Sequence, residues 1–306
     1  MILAHHLPRS TVPEAPGPPI LLIHGAWHGA WSWENFVPWF NDRGHEVYTI
    51  ELRGHGHHPH APGHGRGPGA ARLADYVNDV AKAVERIGTP PALVGHSMGG
   101  FVIQTYLEDH VTPVAVLLAS APPGGALTAT LRGLVRHAGS IPRVLRRFSL
   151  AALLESPETM RELMFSADTP QATVDAACRR LGEESLPAFL DMHGLNLPDT
   201  SRVLSPVVVV GAEDDGIFSR SDVVATARAY GTDAVWVPGG HDMMLDVAWE
   251  KAADVVRGAV LEAAHGQPHR PGRALEGEGR ERSGAGSEAG SEAEPEEPAP
   301  AATIAP

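Results

Sequence analysis

Apolar positions along this chain gather into short runs separated by longer segments of helical spacing. The runs Ile20 to Ile23, Glu46 to Glu51, Ala92 to Val94, Val114 to Leu118, Val207 to Val210 and Ala234 to Val237 are β-rich. Several are apolar throughout, as strands buried on both faces of a parallel sheet must be. Between them the spacing predicts helices over Trp33 to Asp42, Leu73 to Ile87, Gly99 to Asp109, Ser221 to Tyr230 and Met243 to Ala264. Alternating strand and helix predict an α/β architecture, a mostly parallel, doubly wound sheet with helices on both faces.

The alternation fails between residues 122 and 200. That stretch has no strand pattern, but amphipathic segments recur at Leu131 to His137, Pro142 to Leu154, Pro157 to Phe165 and Gln171 to Leu181. A connection of this length needs structure of its own, so an inserted helical lid over one edge of the sheet is expected. From Gly266 onward the chain is mainly Gly, Pro, Ala, Ser and Glu. Such a segment buries too little apolar surface to offset its ordering entropy. A folded domain over residues 1–264 and a disordered acidic tail over 265–306 are therefore expected.

Composition narrows the function classes. An apolar content of 43% in 306 residues is ample for a core, and no run approaches the roughly 18 apolar residues of a membrane span. The start, Met1 to Pro8, lacks a basic segment followed by a long apolar one, and Cys178 is the only cysteine. An intramolecular disulfide and a cysteine-based metal cluster are thereby excluded, and a cytoplasmic location is expected. The formal net charge of −13, to which the tail adds eight glutamates against four arginines, argues against a nucleic-acid partner.

Candidate chemistry lies where strands end. Gly95-His96-Ser97-Met98-Gly99 follows an apolar run and precedes a helical one. Glycines flanking a serine permit a sharp strand-to-helix turn that exposes the hydroxyl as a nucleophile. After the first strand comes His24-Gly25-Ala26-Trp27-His28-Gly29-Ala30-Trp31, a loop small enough for backbone N–H groups to face a cleft. Acids follow a later strand in Gly211-Ala212-Glu213-Asp214-Asp215, and His241 follows the next in Gly239-Gly240-His241-Asp242. Residues beyond the carboxyl ends of parallel strands converge on one edge, so a serine, an acid and a histidine can meet there. The histidine-rich stretch from His55 to His64 invites a metal reading, but it reads better as a surface loop around a structural turn, and no metal site is expected.

Together these motifs resemble the α/β-hydrolase-fold serine hydrolases, from Ile20 to about Ala264. The doubled HGAW loop is similar to that of the plant methylesterase and hydroxynitrile-lyase branch. The N-terminus is shorter than in many relatives, so the first one or two strands of the fold are expected to be reduced or absent. The resemblance implies Ser97 as nucleophile, His241 as base, and Ala26 and Met98 as oxyanion-hole donors through their N–H groups. Ile217, an aliphatic residue two positions on, favours Asp215 as the acid, with Asp214 the alternative. The implied activity is cofactor-independent cleavage of a small-molecule ester through an acyl-enzyme. Serine at position 97 argues against haloalkane dehalogenase and epoxide hydrolase chemistry, which uses aspartate there. A cyanohydrin-type C–C lyase ranks lower, because that chemistry recruits a lysine from the lid and residues 122–200 contain none. A ligand-binding receptor with little turnover is the remaining alternative.

Overall fold

A computed structural model describes residues 1–8, 17–56, 69–140, 154 and 156–266. The expected tail beyond residue 266, most of the expected helix from Pro142 to Leu154, and residues 57–68 of the histidine-rich stretch lie outside the described residues.

Seven strands form one sheet: β1 (Ile2–His6), β2 (Ile20–Ile23), β3 (Val47–Glu51), β4 (Ala92–His96), β5 (Ala115–Leu118), β6 (Val207–Ala212) and β7 (Ala234–Val237). Their spatial order is β1-β3-β2-β4-β5-β6-β7, with β1 antiparallel to β3 and every other pairing parallel. The expected parallel sheet is thus present. It gains one antiparallel edge strand, β1, that the hydrophobic pattern did not mark. This edge strand is partly exposed, so its five residues carry neither a fully apolar run nor clean alternation.

Successive residues of the central strands point to opposite faces, which is why both faces need apolar side chains. Ile20, Leu22, Val94, Val116 and Val208 pack in the core shared with α1 (Phe36–Asp42). Leu21, Ile23, Leu93, Leu117 and Val209 pack on the other side against α2 (Leu73–Ile87) and α3 (Met98–Tyr106). Between β5 and β6 lie α4 (Leu127–Arg136), α5 (Pro157–Met164), α6 (Gln171–Arg180) and α7 (Leu186–Leu190). The chain then completes the layers with α8 (Arg220–Ala229) beside β6 and α9 (Trp249–Ala264) on the α1 face.

One expected helix is shorter than its pattern. Residues 243–245 are apolar and buried but form a turn, and α9 starts only at Trp249. The reason is Asp246, whose carboxylate accepts the N–H groups of Gly240 (2.9 Å), Ser166 (2.7 Å) and Val247 (2.6 Å) and the Ser166 hydroxyl (2.7 Å). A side chain that satisfies backbone donors from its own loop and from Ser166 fixes a loop where periodicity alone would continue a helix.

Strand order reverses between β2 and β4: β2 is followed in sequence by β3 on one side, and β4 by β5 on the other. Loops leaving these neighbours diverge and open a crevice at the carboxyl edge.

Candidate active site

Ser97 sits at the top of that crevice, between β4 and α3, with φ 51° and ψ −114°. A non-glycine residue held at positive φ is strained, and such strain persists only where surrounding packing dictates it. Here the packing is close backbone contact. A Cβ on Gly99 would lie 2.4 Å from the Ile23 carbonyl oxygen, and one on Gly95 would lie 2.6 Å from the carbonyl group of Gly99. The turn is fastened by the Ser97 N–H to Leu118 O (3.0 Å) and by the Ala121 N–H to Ser97 O (3.3 Å). Met98 opens α3, so its N–H has no intrahelical acceptor and stands at the positive end of the helix dipole.

The acid and the histidine meet as the strand order requires. Nδ1 of His241 lies 3.0 Å from both carboxylate oxygens of Asp215, and both side chains are 2% exposed. Oδ1 of Asp215 also accepts the N–H groups of Ile217 (2.7 Å) and Phe218 (2.9 Å), which fixes the carboxylate independently of the histidine. Asp214, by contrast, is exposed, and its N–H is used to join its loop to Gly239 O at 3.0 Å. An imidazole whose Nδ1–H is held by a buried carboxylate presents Nε2 as a base. Its ring lies 4.9 Å from that of His96, the residue immediately before Ser97.

The loop after β2 closes the third side. A Cβ on Gly25 would lie 3.1 Å from Cβ of Ser97, so only glycine lets this loop approach so near. His24 anchors it: Nδ1–H donates to Gly25 O (2.8 Å) and Nε2 accepts the Leu52 N–H (3.2 Å). Burial and the nearby His55 hold His24 well below the usual imidazole range, so it is neutral. Residues 25–28 form a turn closed by the His28 N–H to Gly25 O (3.3 Å), with Trp27 at φ 64°. A cavity of about 80 Å³ adjoins it, lined by Trp27, Leu154, Leu163, Phe189 and Ile217 among others. Its walls come from the β2 loop, the acid loop and the insertion.

Three residues at this edge that were not singled out from the sequence gather beneath the site. His28, His96 and Asp242 are buried and bring donor atoms within 4.8 Å of one another. Nε2 of His28 lies 3.0 Å from Oδ2 of Asp242, and Nε2 of His96 lies 3.1 Å from His241 O and 3.6 Å from Oδ1 of Asp242. Each neighbours a residue already marked, and a second polar side chain in GHS, GGHD and the doubled HGAW was the available signal. His55 corrects an expectation: it is buried, not part of a surface loop, because its Nε2 pairs with Glu184 at 2.9 Å.

A model of the alpha/beta hydrolase family matches residues 20–271. The chain is similar to a carbendazim-hydrolysing esterase of Nocardioides, 34% identical over 94 residues, 30% of this chain and 36% of that one. It is likewise similar to esterase PIR7B of Oryza sativa, 31% identical over 108 residues, 34% of this chain and 38% of that one. The matched parts thus span little more than a third of these relatives' length. In fold it is similar to a thermophilic esterase of Thermogutta terrifontis, with a TM-score of 0.63 at 18% identity over 86% of this chain and 93% of that one. Among the described residues no helix is long and apolar enough to cross a membrane.

Proposed function

From the premise that the chain belongs to the α/β hydrolase family, we propose that it is a carboxylesterase-type serine hydrolase using Ser97, His241 and Asp215. The observation that carries this reading is the juxtaposition at one sheet edge of a strained, half-buried Ser97 and a buried His241–Asp215 hydrogen bond. Relatives named as esterases support ester cleavage as the reaction.

In this mechanism His241 Nε2 takes the Ser97 proton as Oγ attacks the ester carbonyl. Asp215 keeps the other ring nitrogen protonated and stabilises the imidazolium that forms. Charge developing on the carbonyl oxygen is met by the N–H groups of Ala26 and Met98, the latter aided by the dipole of α3. His241 then returns its proton to the leaving alcohol. Water, deprotonated by the same imidazole, releases the acid from Ser97. Helices α4 to α7 serve as the lid and supply part of the apolar cavity. Because about 150 Å³ suffices for benzene, a cavity of about 80 Å³ suits an apolar acyl or alcohol group of a few carbons.

The test is direct. Ser97→Ala should lower kcat on p-nitrophenyl acetate and butyrate by about 10³-fold or more, and a fluorophosphonate probe should label Ser97 in the wild-type enzyme. Full activity in the variant, or labelling elsewhere in active enzyme, would overturn the reading.

A further inference from the structure

We propose that His28 and Asp242 form a buried imidazolium–carboxylate pair that positions the oxyanion turn, Asp242 linking that turn to the segments carrying Ser97 and His241. The inference rests on the serine-hydrolase reading above and extends it to two residues that touch no substrate.

The protonation state follows from the partners. Nδ1 of His28 lies 2.7 Å from the Ala26 carbonyl and Nε2 lies 3.0 Å from Oδ2 of Asp242. Both partners accept hydrogen bonds only, the first because it is a carbonyl and the second because it is a carboxylate, so both ring nitrogens carry protons. Burial opposes a charged His28, but the charge and hydrogen bond of Asp242 overcome it and raise its pKa. Burial likewise opposes the Asp242 carboxylate, and the His28 charge holds its pKa below the ordinary range. His96 behaves oppositely: burial, then His241, push it down to about 3. It is therefore neutral, and the Nε2–H it donates to His241 O faces Asp242 Oδ1 as well.

The turn needs such support. Trp27, at φ 64°, occupies a conformation that favours glycine, and the Ala26 carbonyl belongs to the peptide that leads into it. A charge-assisted bond from the imidazolium to that carbonyl fixes the peptide plane, and with it the turn that carries the Ala26 N–H. Asp242 also follows His241 directly and donates its own N–H to Met164 O (2.8 Å) at the end of α5. Asp242 thus meets the oxyanion turn through Oδ2, faces His96 beside Ser97 through Oδ1, and ties the base loop to the insertion through its backbone N–H.

The experiment compares His28→Gln, Asp242→Asn and the double variant His28→Asn/Asp242→Asn with wild type. Glutamine places its donor near the Nε2 position and loses the Ala26 bond; asparagine places it near Nδ1 and keeps that bond. A missing oxyanion donor costs about 10²–10³ in kcat, and a mis-aimed one costs less. His28→Gln should therefore lower kcat about 10–100-fold with KM within about threefold, and Asp242→Asn about 3–10-fold. The double variant should recover about fivefold or more of the His28→Gln loss. Ki of a trifluoromethyl ketone, whose adduct places an oxyanion in the hole, should rise in step with the fall in kcat/KM. Independently of any variant, wild-type protein carrying 15N-histidine should show both His28 ring nitrogens protonated at neutral pH. Unchanged kcat in folded variants, a loss confined to KM, or a singly protonated His28 would overturn the proposal. So would activity lost to a chelator and restored by zinc, which would make these three side chains metal ligands. Failure of the fluorophosphonate to label wild-type Ser97 would instead overturn the serine-hydrolase reading beneath it.

Discussion

Two buried histidine–carboxylate pairs in this molecule are built alike and placed differently. In each, Nδ1 meets the carbonyl two residues upstream, Ala26 for His28 and Arg53 for His55. In each, Nε2 meets a carboxylate from far along the chain, Asp242 at 3.0 Å and Glu184 at 2.9 Å. Both histidines are shifted upward because the carboxylate outweighs burial. The carboxylates differ. Glu184, in the insertion, is fully engaged, taking the Tyr76 hydroxyl and the Ser185 N–H at 2.7 Å each besides His55. Asp242, beneath the candidate site, leaves Oδ1 without a hydrogen bond. A saturated buried carboxylate is a structural anchor, whereas one with an orphaned oxygen carries a desolvation cost that a purely structural contact would not keep. The same chemical unit thus fastens the insertion to the body in one place and couples loops of the site in the other.

Disturbing the two regions should therefore separate catalysis from stability. The largest effect lies at the sheet edge. Asp215→Asn preserves the shape but presents an amide to His241, favouring the wrong tautomer, and should lower kcat by about 10⁴ with little change in melting temperature. At the insertion, Glu184→Ala orphans His55 and Tyr76 together. Breaking a buried pair costs about 3–5 kcal/mol, so at 2–4 °C per kcal/mol a fall of roughly 6–20 °C is expected. Its kcat should stay within about threefold of wild type, and KM should rise, because the insertion shapes the cavity. Thermal melts beside steady-state kinetics check both variants. If Glu184→Ala lost kcat and Asp215→Asn lost stability, the division would be wrong.

Much of this was legible in sequence, for identifiable reasons. Strands buried on both faces write continuous apolar runs, so the six parallel strands were placed within two residues at either end. The glycines at 95 and 99 marked a turn that backbone crowding indeed requires. Asp215 rather than Asp214 faces His241, in keeping with the aliphatic Ile217, whose N–H binds the Asp215 carboxylate. Strand β1 was silent because an edge strand needs no two-faced pattern. The two histidine–carboxylate pairs were silent because each joins residues more than a hundred positions apart, and one-dimensional periodicity carries no such pairing. Asp246 ended a helical pattern for the same reason, by recruiting donors from Gly240 and Ser166 that only the fold brings near.

Acidity and alkalinity should pull the two kinds of buried histidine in opposite directions. His45 has no hydrogen-bond partner at either ring nitrogen, and burial, with Arg257 and Arg43 nearby, lowers its pKa to about 4. Between that value and the unfolded value near 6.5, the unfolded chain binds a proton that the native protein does not. Stability therefore falls as pH drops through this window, by roughly 2–3 kcal/mol from this residue. His28 and His55 are raised, so their contribution is complete below about 6.5 and is lost as pH climbs through their folded values. Denaturant titrations from pH 4 to 9 should show a maximum, with His45→Phe flattening the acid limb alone and His28→Gln making the alkaline one shallower while His55 keeps the rest. An acid limb unchanged by His45→Phe would assign it to other groups.

The smallest effect should come from a contact that joins insertion and body as Glu184 does, but at the surface. Arg180 of α6 pairs with Glu34 at 2.6 Å, with side chains 29% and 50% exposed, and its guanidinium lies over the Trp31 ring at 4.4 Å. Water screens such a pair and ordering two long side chains offsets most of what remains, so its worth is about 0–1 kcal/mol. Glu34→Gln removes the charge while leaving the stacked guanidinium in place. It should shift the melting temperature by about 4 °C or less and leave KM unchanged. A drop comparable to that of Glu184→Ala would mean that burial is not what distinguishes the anchors of the insertion, and the comparison between the two regions would lose its physical basis.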